Sequence, residues 1–104
     1  MISDIAKDAL AMLDESGWTQ FSCADEHGIC LGTALCRAAG LPEDGHLTPS
    51  QLTTWTALTD AVLAAQKILF PDAPFDATNA VPKFNDFSSA EDVRKILEVI
   101  VTVA

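Results

Sequence analysis

Apolar and polar positions along the chain follow helical periods separated by turn signals. Over residues 4–16, Ile5, Ala9, Met12 and Leu13 share one stripe while Lys7, Asp8, Asp14 and Glu15 stay off it, the pattern of a helix that buries one face. Ser3 stands at the cap position, Asp4 lies in the electropositive first turn, and Gly17 is placed for a left-handed stop. A shorter period covers residues 29–39, where Leu31, Ala34, Leu35 and Ala38 recur at i, i+3, i+4 and i+7. Gly40 and Leu41 then form a C-terminal cap with its hydrophobic contact.

The third period is the most sharply bounded. Thr48-Pro49-Ser50-Gln51 combines a capping residue, a proline at the first helical position and a glutamine able to bond back to the cap, with Leu47 and Leu52 as the flanking staple. Trp55, Leu58, Val62, Ala65 and Leu69 make a seam that ends at Phe70 before Pro71, a helix of about 21 residues and roughly 30 Å. The stretch FPDAPFDATNAVPKFND reads as a loop. A fourth helix begins near Ser88, with Glu91 as capping-box partner and Val93, Ile96, Leu97 and Ile100 as its buried stripe. The β-branched tail VIVTVA continues in phase with that stripe and is assigned to the helix. Together these elements predict an all-α fold: a compact single-domain bundle of about four helices over residues 1–104, with a short ribbon formed by residues 20–23 and 29–31.

Composition narrows the function classes. With 104 residues, 49% of them hydrophobic, one core is expected to bury roughly 65% of the unfolded surface. Fifteen acidic against six basic residues give a net charge of -9, which repels nucleic-acid backbones and anionic membranes and favours neutral or basic partners. The N-terminus MISDIAKDALAMLDE lacks the pattern of a signal peptide, and no run of 18 uncharged apolar residues occurs. Three cysteines without an export signal point to a reducing cytoplasm and free thiols.

All three cysteines lie in GWTQFSCADEHGICLGTALC, residues 17–36. As a metal site, Cys23, His27, Cys30 and Cys36 would supply a Cys₃His set, yet their spacing is not that of a zinc knuckle, and Cys30 and Cys36 fall on or near one helix almost two turns apart. As a hydrolase, Cys30 would be the nucleophile, His27 or His46 the base, Asn85 or Asp86 the orienting group and Gln20 the oxyanion donor. His27 sits in a polar DEHG turn and His46 beside Gly45, and a cysteine packed between helices is commonly an inert hydrophobe. No phosphate-binding loop is present, since no lysine follows Gly28-x3-Gly32. The acids are spread along the chain at densities common to solvated helix faces, so DNA mimicry is a minor reading.

Four short motifs carry a resemblance. GWTQ at 17–20, CLGTAL at 30–35, the aromatic-Asn-Asp of FND at 84–86 and SSAEDV at 88–93 are similar, in that order, to an uncharacterised family of small proteins of actinobacteria and their phages. Phe84 stands where the family pattern has Trp, and Thr33 where it has Ala. The resemblance implies a helical architecture and a phage or host-interaction setting, without an activity. Beside it, the residues themselves suggest a polar clamp: Trp18 drops onto the core, Gln20 serves the backbone of one loop crossing, Asn85 serves the opposite crossing, and Asp86 favours the start of the last helix. Trp18, Gln20, Cys30, Asn85 and Asp86 are therefore expected to be structural, with Cys30 buried and unreactive. No catalytic residue, metal ligand or cofactor is assigned. The expected function is non-enzymatic binding of a protein, such as one of a bacterial host, with a Cys30-dependent hydrolase or a zinc-stabilised module as the alternatives.

Overall fold

The computed structural model describes residues 1–72 and 80–103. Its elements run α1 (Ile2–Ser16), β1 (Ala24–Asp25), β2 (Gly28–Ile29), α2 (Leu31–Ala39), α3 (Pro49–Leu69), α4 (Ala80–Asp86) and α5 (Ala90–Val103). The fold is mostly helical with a short antiparallel ribbon, as the periodicity predicts. Helix α1 packs against α2 on one flank and α5 on the other, and α3 closes over α5. Leu31, Leu35, Leu58, Val62, Ile96 and Leu97 are fully enclosed in the core between them. Among the described residues, no helix is long and apolar enough to cross a membrane.

Helix α3 forms as its sequence dictates. The Thr48 hydroxyl accepts from the Gln51 N–H, the Gln51 amide accepts from the Thr48 N–H, and Pro49 occupies the first turn. Leu58, Val62 and Ala65 are buried, with Trp55 and Leu69 half-buried at the ends of the seam. Leu52, the expected staple, remains 54% exposed. The tail is helical through Val103.

Several boundaries differ for identifiable reasons. Ser3 is not a cap: α1 starts at Ile2, and the Ser3 hydroxyl donates to the Val101 carbonyl at 2.8 Å, tying α1 to the end of α5. The cap of α5 is Ser89 and not Ser88, because the Ser89 hydroxyl accepts from the Asp92 N–H. Helix α2 begins two residues later than its apolar period, since residues 28 and 29 are held in the ribbon. Helix α4 was unexpected. Pro82 lies in its first turn, where a missing N–H costs nothing, and residues 73–79 of the same expected loop lie outside the described residues.

The ribbon is shorter than expected and shifted. Ala24 pairs with Ile29 and Asp25 with Gly28, in place of residues 20–23 with 29–31. The Asp25 carboxylate accepts the His27 N–H at 2.8 Å and closes the turn, while Phe21, at φ 60, steers residues 20–22 away from the pairing. On its other side β2 meets the chain leaving α1: Ile29 N–H donates to the Gly17 carbonyl, and Thr19 N–H to the Ile29 carbonyl. Gly17 ends α1 at φ 85 and ψ 172, an extended glycine conformation and not the left-handed helical stop the sequence suggests. Gly28 lies so close that a Cβ on it would stand 2.3 Å from the Gly17 carbonyl oxygen.

Candidate functional site

Helix α4 delivers Asn85 into the interior because its neighbours on that face are apolar. Val81 and Phe84 are buried, the Phe84 ring lies 6.2 Å from that of Phe70, and Asn85, four residues after Val81, is only 1% exposed. A buried amide needs partners for both ends. Its Oδ1 accepts from Trp18 Nε1 at 2.7 Å and from the Leu31 N–H at 2.9 Å, and its Nδ2 donates to the Thr19 carbonyl at 3.0 Å. The Leu31 N–H is one of the unpaired donors in the first turn of α2, so one side chain ties the exit of α1, the start of α2 and the end of α4.

Gln20 joins the same network. Its Nε2 donates to the carbonyls of Asp86 and Ser88 at 3.0 and 2.7 Å, and the Asp86 carboxylate accepts the Phe21 N–H at 2.9 Å. The sequence places Gln20 and Asn85 at opposite crossings; the structure places them at one. Asp86 sits at the end of α4 facing Phe21, instead of at the start of α5. Thr19, buried beside them, donates to Asp25 at 2.7 Å, and with the His27 N–H this holds the Asp25 carboxyl below its usual range. Among the described residues, no buried side-chain nitrogen or oxygen lacks a partner.

Cys30 is half-buried, more open than its sequence context suggests, and caps α2. Its Sγ accepts the Thr33 N–H at 3.3 Å and lies 3.4 Å from the Thr33 hydroxyl. Cysteine is not among the residues usually favoured as caps, which is why the apolar period alone set the helix start too early. Cys23 is exposed and Cys36 half-buried; burial pushes the Cys36 thiol up, with the Glu43 carboxylate adding to the shift. His27 and His46 are on the surface beside Glu26 and Asp44. Among the described residues, no three His, Cys, Asp or Glu side chains are grouped so as to hold a metal ion.

These parts surround an open cleft of about 560 Å³. Cys30, the cap of α2, and Thr33 and Cys36 within α2 line it, with Leu52 and Trp55 from α3, and Pro82, Asn85 and Asp86 from α4. The remaining sides come from Phe21, Ser22 and Cys23 and from Pro42, Glu43 and Leu47. Neither histidine lines it, and its charged lining residues, Glu43 and Asp86, are both acidic. Arg37 reaches the outer side of Glu43 at 3.1 Å. At the mouth, Phe21 is 72% exposed despite its left-handed backbone, and its ring meets the edge of Phe87, itself 82% exposed, with centroids 6.4 Å apart. Nothing in the sequence marks Phe21 as left-handed; its position after Gln20 and its tie to Asp86 emerge only from the fold.

Residues 1–100 match the model of a family of unknown function, DUF6197. No curated protein and no solved structure matches the chain.

Proposed function

The chain belongs to DUF6197, and from the geometry of its cleft we propose that it is a non-enzymatic binding protein whose working surface is that cleft and the Phe21–Phe87 pair at its mouth. Phe21 is the observation that carries this reading. A left-handed backbone at a bulky residue costs on the order of 1–2 kcal/mol, and a phenylalanine normally offsets such a cost by burial. Here the ring stays in solvent. The Asp86 carboxylate holds the backbone in place, so the fold maintains an exposed aromatic beside an apolar pocket, the arrangement of an interface anchor.

Charge selects the occupant. With acidic residues in the lining and a net charge of -9, the partner is a protein segment that offers an apolar side chain to the cleft and Lys or Arg beside it, where a cation also gains from the faces of Phe21 and Phe87. Nucleic acid and anionic membranes are disfavoured by the same charge. The resemblance of GWTQ, CLGTAL, FND and SSAEDV to actinobacterial and phage sequences supports a host protein as the partner and a cytoplasmic setting. In this reading Trp18, Gln20, Cys30, Asn85 and Asp86 form the frame of the surface, and Phe21, Leu52, Trp55 and Phe87 meet the partner.

The test is affinity capture from an actinobacterial lysate at two salt concentrations, using the parent protein, Phe87→Ala and Leu52→Glu. Both substituted residues are exposed, so both variants should melt like the parent. We expect a protein that the parent retains, that higher salt weakens and that both variants lose. Identical capture by all three proteins would refute the assignment of this surface.

A further inference from the structure

We propose that Cys23 and Cys30 are an oxidisable pair, which a peroxide converts to a disulfide across the open end of the ribbon. The register carries this inference. Asp25 pairs with Gly28 and Ala24 with Ile29, so the next opposed residues are Cys23 and Cys30, and the Cys30 N–H donates to the Cys23 carbonyl at 2.9 Å. This single bond holds the two backbones side by side just beyond the last paired residues; a pair that exchanges both ladder bonds has Cα atoms about 5.5 Å apart, inside the roughly 4.4–6.8 Å that disulfides span. Both residues line the same cleft, as does Cys36. Cys36 lies on α2, six residues beyond Cys30 and outside this register.

The chemistry balances with a peroxide as oxidant. The sulfur of exposed Cys23, as thiolate, attacks one peroxide oxygen; the O–O bond breaks, an S–O bond forms, and the departing oxygen leaves as water, giving a sulfenic acid. The sulfur of Cys30 then attacks the Cys23 sulfur, forming the S–S bond and breaking the S–O bond, and a second water carries off the thiol proton. Two thiols and one hydrogen peroxide become one disulfide and two waters, and the two sulfurs together give up two electrons.

Such a bond is suited to reversal. Opposed Cβ atoms in a ladder stand about 4.5–5.5 Å apart, while a disulfide draws them to roughly 3.5–4.5 Å, so closure twists the ribbon end, and a strained, exposed disulfide is readily reduced. Oxidation also reaches α2. Sγ of Cys30 accepts the Thr33 N–H and contacts the Thr33 hydroxyl, and a disulfide sulfur has no proton to give and is a poorer cap. The inference needs no occupant in the cleft and stands independently of the binding reading.

The full chain, reduced and then treated with hydrogen peroxide, tests it. Intact mass under non-reducing conditions should fall by two hydrogens and recover with dithiothreitol. Cleavage after Glu26 separates Cys23 from Cys30 and Cys36, so the resulting peptides should remain joined until reduced. Cys36→Ser should keep the cross-link, while Cys23→Ser and Cys30→Ser should each lose it. A cross-link that persists in Cys30→Ser, one that disappears in Cys36→Ser, or added oxygen without any cross-link would overturn the pairing.

Discussion

Replacing Asn85 with alanine removes one side chain and strands three groups. The Leu31 N–H and the Thr19 carbonyl lose the partners they have in the buried interior, and Trp18 Nε1 loses a bond of 2.7 Å. Leaving a buried donor or acceptor unsatisfied costs about 1–3 kcal/mol each. Water entering from the cleft that Asn85 lines can serve Trp18, so the two deeper groups set the total at about 2–6 kcal/mol. That is a large share of the roughly 5–15 kcal/mol that holds a domain together. At about 4–8 °C per kcal/mol, the melting temperature should fall by at least ~8 °C. Thermal and urea unfolding followed by circular dichroism measure the loss. Trp18→Phe removes the Nε1 donor together with the pyrrole part of the indole, so it should cost about 1 kcal/mol for the lost bond plus a cavity penalty, and the double variant, in which the cavity cancels, should reveal coupling of about 1 kcal/mol. A drop below ~4 °C for Asn85→Ala, or strict additivity with Trp18→Phe, would refute the view that this amide joins the three segments.

Three further outcomes follow from the same geometry. Gly28→Ala should destabilise by about 3 kcal/mol or more, because its Cβ would stand 2.2–2.6 Å from the backbone of Gly17 and Trp18; Gly45→Ala, which meets nothing within 4 Å, should cost only about 1–2 kcal/mol in urea unfolding. Cys30→Ala should cost about 1 kcal/mol through loss of the α2 cap, whereas Cys30→Ser should match or exceed the parent in the same measurement. For Asp25 the folded carboxyl titrates below its unfolded value, so its contribution to stability is present above the unfolded pKa of about 4 and is lost as pH falls through the lower folded value. Unfolding curves across that acid window should therefore be flatter for Asp25→Asn than for the parent.

The elements legible in the sequence are those whose signals are local. Thr48, Pro49 and Gln51 specify the start of α3 within four residues, and Val93, Ile96, Leu97 and Ile100 specify the buried face of α5 by spacing alone. Helix α4 was hidden because seven residues hold too few turns to establish a period, and because Pro82 reads as a breaker anywhere but in a first turn. The candidate site was legible in its residue types and not in its assembly. Trp18, Gln20 and Asn85 are conspicuous as polar or amphipathic groups beside aromatic and loop positions, but a contact spanning 67 residues between Trp18 and Asn85 has no sequence period. Phe21 escaped for a different reason: its left-handed backbone goes with a hydrogen bond to Asp86, far along the chain.

The placement of α1 between α2 and α5 also bears on how the chain is made. Ile5, Ala9 and Leu13 are covered in part by a helix that begins at Ala90, and Ser3 and Asp14 find partners in Val101 and Arg94 of that helix. A ribosome adding about 5–20 residues per second needs roughly 4–18 s to travel from α1 to α5. Throughout that interval α2 can shield one flank of α1, while the aliphatic side chains of the other await their cover. The core around α1 is therefore completed late in synthesis, once α5 has emerged to cover that flank.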